Sequence, residues 1–526
     1  MRARWLALVV CSAGCVPQPR GPRLDEAGKV AALRQATESF LHTQASLSWQ
    51  RWLDGASLET GPEVDDQAWL FAPPTIDMLR RAMRVETDRE RRRALHHLHA
   101  LLVGEHLKLA TVALDQRLWD LQRTRVAVDQ RETSARDLSQ TLAAEPDPHV
   151  RQRLASAVHQ ALDAMPATVR AREAKLTSSA RNLGYDDRLQ LSSELRHYDL
   201  RPTAKLANDL LDQSEALYLQ LAAEISVVEA ATPLSHLRPA DLPALFAAGR
   251  YRELFAADGL LPAMQSTLAE LGVNLDDLQI HIDLRPLANK HPRAACFPVR
   301  IPDDIRVSVR PASGAADYAA LFHEIGHALQ FAMTKAPAFE LQVLGDASAA
   351  EAYAFVFESL TEDPAWLADH MALAEPALSA FVRLAVFKRL VAVRRHAARL
   401  LTEVALQTGQ TRDRDATYLA LMARAYGLPP DAATRVQATT DIDPFVEAAD
   451  YLRGAALGAL IRERLRREHG ARWWHRPEAL DDLRALWAAG QTETADELWV
   501  KLDGRRLGPE PLMRLAAEQI VMSSTP

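Results

Sequence analysis

Residues 318–330 read YAALFHEIGHALQ, an uninterrupted run of helical character. His323 and His327 are four residues apart, so they lie on one face of that helix and can share one metal ion. Glu324 sits beside the first histidine, where a carboxylate can take a proton from an activated water and pass it to a leaving amine. Leu321, Phe322, Ile325, Ala328 and Leu329 make the surroundings apolar. Two histidines and a glutamate buried among them would be costly without a metal or partners. The chain must therefore fold around a helix with polar chemistry at its core.

A catalytic zinc takes three protein ligands. A metzincin would supply a third histidine six residues after His327, but Met333 stands there. The remaining source is a carboxylate from a following helix. Residues 346–358, DASAAEAYAFVFE, are otherwise small and apolar. Glu351 and Glu358 are seven apart and so share a face two turns long. Glu351 is the expected third ligand. Glu358 is expected to orient a liganding histidine. Asp346 and Glu340 are weaker candidates.

Composition narrows the alternatives. The chain has 526 residues, too many for one compact core, and a net charge of −7. That surface disfavours nucleic acid as a partner, because phosphate binding needs a basic face. The three cysteines are Cys11, Cys15 and Cys296. Two lie in the opening segment MRARWLALVVCSAGC, where Arg2 and Arg4 precede a short apolar run and small residues precede Cys15. This reads as an export signal at 1–15 of lipoprotein type, too short to span a membrane. Residues 16–24 form a proline-rich tether. The expected location is the bacterial periplasm or cell envelope, with a lipid on Cys15 as the only membrane attachment.

From 25 to 232 the pattern is helical, with apolar residues recurring at three and four, as in Leu206, Leu210, Leu211, Leu217 and Leu221. A second unit spans 233–526. Within it, LQIHIDL at 278–284 and FPVRIPDDIRVSVRP at 297–311 alternate as strands do. They predict a small antiparallel sheet just before the histidine helix.

The segments DYAALFHEIGHALQ and SAAEAYAFVFESL together resemble the thimet oligopeptidase and oligoendopeptidase F family of zinc peptidases. The likeness rests on His323, Glu324, Gly326, His327, Glu351 and Glu358. It is specific over about 278–365 and looser over 430–465. It implies a mainly helical, two-lobed fold with a channel for short unfolded peptides, one zinc ion per chain, and a monomer. It also implies that a strand of the sheet pairs with extended substrate, and Ile305, Arg306, Val307, Ser308 and Val309 are the matching stretch. The family carries a histidine and several tyrosines on a late helix. Here only Tyr451 matches, a phenol suited to a developing oxyanion. Two other readings stay open. One is a zinc carboxypeptidase that grips a free C-terminus through Arg453 or Arg310. The other is a zinc-binding protein without turnover.

Overall fold

The computed structural model describes residues 25–55 and 62–523. The expected signal at 1–15 and tether at 16–24 lie outside the described residues. No described helix is long and apolar enough to cross a membrane.

The protein is mainly helical, as the periodicity predicts. Its helices start where short acidic side chains satisfy free backbone N–H groups. Asp25 accepts from Gly28 at the head of Glu26–Asp54. Asp88 accepts from Arg91 at the head of Arg89–Gln122. The first lobe packs these helices with Met165–Asn182 around Leu33, Phe40, Leu98, Leu102 and Leu176. One stretch read as helical is not. Val126–Val128 pairs antiparallel with Arg131–Thr133, with Asp129 and Gln130 turning at positive φ.

The hydrophobic core does not divide near residue 232. Helix Leu200–Ala230 sends Leu206, Leu210, Leu211, Tyr218 and Leu221 into the same buried cluster as Phe322, Tyr353 and Phe387. It packs along the long helix Ala377–Gln407. Helices are contiguous by burial here, and the chain break at Thr232-Pro233 only turns the backbone. Charged pairs join the first lobe to the second. Arg34 binds both oxygens of buried Glu340, Arg93 binds Glu497, and Arg196 binds Asp450 at 2.6 Å.

The sheet beside the histidine helix corrects the sequence reading twice. It has three strands, Ile280–Asp283, Ala295–Arg300 and Asp304–Ser308, and it is mixed rather than antiparallel. Asp304–Ser308 is central: it pairs parallel with Ile280–Asp283 and antiparallel with Ala295–Arg300. A central strand has both backbone edges occupied, so Ile305, Arg306, Val307 and Ser308 have no backbone row to offer an extended peptide. Ile305, Val307 and the adjacent Val309 are core residues, and Val309 N–H bonds the Asp283 carbonyl. The two edge positions belong to Ile280–Asp283 and Ala295–Arg300.

Candidate metal centre

Three helices build the site by close crossing. The first is Ala315–Ala332, carrying His323, Glu324 and His327. The second is Ala347–Glu358, which Asp346 caps by accepting from Ser348 at 2.9 Å. The third is Ala448–His469, carrying Tyr451. Glycines stand at the crossings. A Cβ on Gly326 would lie 2.6 Å from the Ala354 Cα, and one on Gly454 would lie 2.5 Å from the Glu351 Cβ. A Cβ on Gly458 would meet the Ala352 carbonyl at 2.8 Å. These approaches leave no room for a methyl group, so glycine sets how deeply Glu351 reaches toward the histidines.

The predicted residues converge. His323, His327 and Glu351 each offer one ligand atom, and these atoms all lie within 4.8 Å of one another. Glu351 Oε2 is 3.4 Å from His323 Nε2, and Glu351 Oε1 is 3.8 Å from His327 Nε2. Glu351 Oε2 is buried and makes no hydrogen bond. A buried carboxylate oxygen without a donor is costly. Two imidazoles and that carboxylate are a donor set that suits zinc, so the residues present fit the metal the motif implies.

Glu358 stands behind this set. Its Oε2 lies 2.8 Å from His323 Nδ1, which leaves Nε2 facing Glu351. Burial opposes charge on His323, but the Glu351 and Glu358 carboxylates outweigh it and hold the ring well above the ordinary histidine value. His327 lacks such a second carboxylate, and burial pulls it down to about 4. Burial also pushes the Glu324 carboxyl up to about 7, against the pull of His323. Cys296, on the edge strand Ala295–Arg300, lies beside that carboxylate.

A cavity of ≈ 260 Å³ opens on the Glu358 side of His323, lined by Ala319, Phe355, Glu362, Tyr451 and Gly458 among others. Tyr451 is half-buried there. The Glu351 charge and burial hold its phenol protonated, well above its ordinary value. His396, from the long helix Ala377–Gln407, stacks on the Tyr451 ring at 4.9 Å and 17°. Sequence reading missed His396, because nothing local marks a helix histidine that reaches a site on another helix.

Other predicted residues go elsewhere. Arg453 is buried and bonds Asp346, Asp496 and Ser348, with its guanidinium 3.7 Å over the Tyr198 ring. It is not free to grip a substrate carboxylate. Asp346 is therefore a cap and an ion-pair partner, and Glu340 is held by Arg34; neither is placed as a ligand. Arg310 reaches the Lys290 carbonyl at 3.4 Å.

The same overall fold occurs in solved structures of low sequence identity. Among solved structures, one described as an oligoendopeptidase F, from crystals grown by microfluidic seeding, matches with a TM-score of 0.66 at 14% identity. The match covers 97% of this chain and 98% of that one. A second, described as an oligoendopeptidase F from Bacillus anthracis str. Ames, matches with a TM-score of 0.67 at 13% identity, over 95% and 92% of the two chains. PZ peptidase A with an inhibitor matches with a TM-score of 0.62 at 12% identity, over 96% and 98%. No protein-family model and no curated protein sequence matches the chain. The likeness to these structures is therefore one of fold, over nearly the whole chain.

Proposed function

We propose that the protein is a zinc-dependent peptidase that hydrolyses peptide bonds within short, extended peptides. The observation that carries this reading is the convergence of His323, His327 and Glu351 around one point, with the Glu324 carboxylate buried next to them. His323 Nε2, His327 Nε2 and a Glu351 oxygen would hold the ion. Zinc bound by such ligands polarises a carbonyl and lowers the pKa of a water to ~7.

The protein's own groups supply the rest. Glu324 takes the proton from the attacking water and delivers it to the amine nitrogen as the peptide bond breaks. Glu358 holds the His323 ring through Nδ1 and so fixes which nitrogen faces the ion. Tyr451, kept protonated, donates its O–H to the oxyanion that develops on the scissile carbonyl. The backbone of Ala295–Arg300 is the free sheet edge nearest Glu324, and an extended peptide adds to the sheet there.

Comparing wild type with Glu324→Gln on a mixture of short peptides tests this, with product ends mapped by mass spectrometry. The expected result is internal cleavage by wild type, equal zinc in both proteins, and turnover lost in the variant. Zinc retained with no turnover in wild type would leave only a binding role. Release of single C-terminal residues alone would favour the carboxypeptidase reading, with Arg310 as its remaining candidate grip.

A further inference from the structure

A second cluster of metal-ligating side chains lies outside this site. Glu270 ends the helix Leu260–Glu270, His370 lies in the helix Pro364–Met371, and His475 lies in the short turn Trp473–His475. Their ligand atoms all fall within 4.8 Å of one another. Glu270 Oε2 is 3.2 Å from His370 Nε2 and 3.2 Å from His475 Nε2.

These contacts do not behave as hydrogen bonds. Both Glu270 Oε2 and His370 Nε2 are buried atoms that make none. The His370 side chain is 7% exposed, so its nitrogen has no route to bulk water. Four ligands around zinc at about 2.0–2.2 Å sit about 3.4 Å apart along the edges of a tetrahedron. Two imidazole nitrogens each 3.2 Å from one carboxylate oxygen, and misaligned for hydrogen bonding, match donors arranged around a common centre. A neighbouring trio, Glu468, His469 and Asp482, differs in kind: His469 Nε2 simply bonds Asp482 at 2.7 Å.

The three donors are also held in place from behind. His370 stacks on Trp366 at 5.0 Å and 25°, and Trp366 Nε1 donates to Thr267 Oγ1 at 2.9 Å. Thr267 lies one turn before Glu270 on the same helix. Ser266 Oγ lies 3.2 Å from Glu270 Oε1, which leaves Oε2 to the histidines. Asp369, a further acid beside them, is taken by Arg472 at 2.6 Å and 3.0 Å.

We propose that Glu270, His370 and His475 form a second divalent-metal site, of a chemistry that selects zinc over calcium or magnesium. Two imidazoles and one carboxylate suit zinc, whereas the harder cations take oxygen ligands. Glu270 and His475 are partly exposed, so water completes the coordination. The ion joins three segments distant in sequence: the helix that precedes the sheet, the helix that follows the Glu351 helix, and the turn after the Tyr451 helix. Its role is to clamp them, and it takes no part in peptide hydrolysis.

Metal analysis of the full-length protein tests the site, after equilibration with zinc and removal of the loosely bound fraction. Wild type is expected to hold two zinc ions per chain, and His475→Ala and Glu270→Gln one each. His475 is 40% exposed, so its replacement leaves the core intact. Melting of the metal-free proteins checks that, with wild type and both variants expected to coincide. Zinc should then raise the melting temperature of wild type more than that of either variant. Cobalt gives a second readout: the variants lose about half of the visible absorption of the fully loaded wild type. A loss of one zinc per chain from each variant relative to wild type supports the proposal, whatever the wild-type total; unchanged stoichiometry in both variants overturns it.

Discussion

Glu358 Oε2 sits 2.8 Å from His323 Nδ1, while His323 Nε2 faces Glu351 at 3.4 Å. The ring is therefore gripped on one side and presented on the other. Removing the grip by Glu358→Ala should weaken zinc binding about 10–100-fold without removing a ligand. Competition with a chromophoric chelator measures this. An unchanged affinity would mean that helix packing alone orients the ring.

Glu324 is assigned to move protons and not to hold the ion. Glu324→Gln keeps the side chain's size and loses its basicity. It should lower kcat/KM by about 10²-fold or more, with the affinity for zinc left near wild type. A variant that loses zinc in parallel with activity would move Glu324 into the ligand set.

Gly454 meets the Glu351 Cβ, so Gly454→Ala forces the late helix away from the Glu351 helix. Overpacking of this kind costs about 1–3 kcal/mol. Thermal melting should show that loss, and zinc affinity should fall with it because Glu351 moves. If Gly454→Ala melts and binds zinc as wild type does, the crossing does not set the ligand position.

His97 carries a pH dependence at the junction of the lobes. Its Nδ1 lies 3.2 Å from the Glu340 carbonyl, and burial pulls the ring down to about 4. His197, 4.5 Å away, is pulled by burial to about 3. Unfolded histidine titrates near 6.5. Between that value and about 4 the unfolded chain binds more protons than the folded one, so stability is full above pH ~6.5 and falls as the pH drops through that window. His97→Gln should flatten the fall in melting temperature from pH ~6.5 to ~4. Parallel curves for variant and wild type would show that His97 does not contribute.

Local spacing made the His/Glu cluster legible. Histidines four apart and glutamates seven apart fix faces of helices regardless of the rest of the fold, and His323, His327, Glu351 and Glu358 all arrive together. Strand order was not legible in the same way. The alternation of Ile305, Val307 and Val309 shows that the segment is a strand, but which neighbours it takes depends on pairing with residues 280–283 and 295–300. The turn at Asp129 and Gln130 hid inside a charged stretch with no Gly or Pro to mark it. Arg453 looked available because a sequence does not reveal that Asp346 and Asp496 close around it. The helix Leu200–Ala230 carried a clear apolar stripe, but a stripe does not say which lobe it faces.

The proposed peptide hydrolysis depends on one ion held among His323, His327 and Glu351. Anomalous diffraction on either side of the zinc absorption edge, from crystals of the zinc-loaded protein, tests it most directly. A peak is expected within bonding distance of His323 Nε2, His327 Nε2 and a Glu351 oxygen, lost in crystals of His327→Ala. Ordered side chains at these three positions with no peak between them would contradict it.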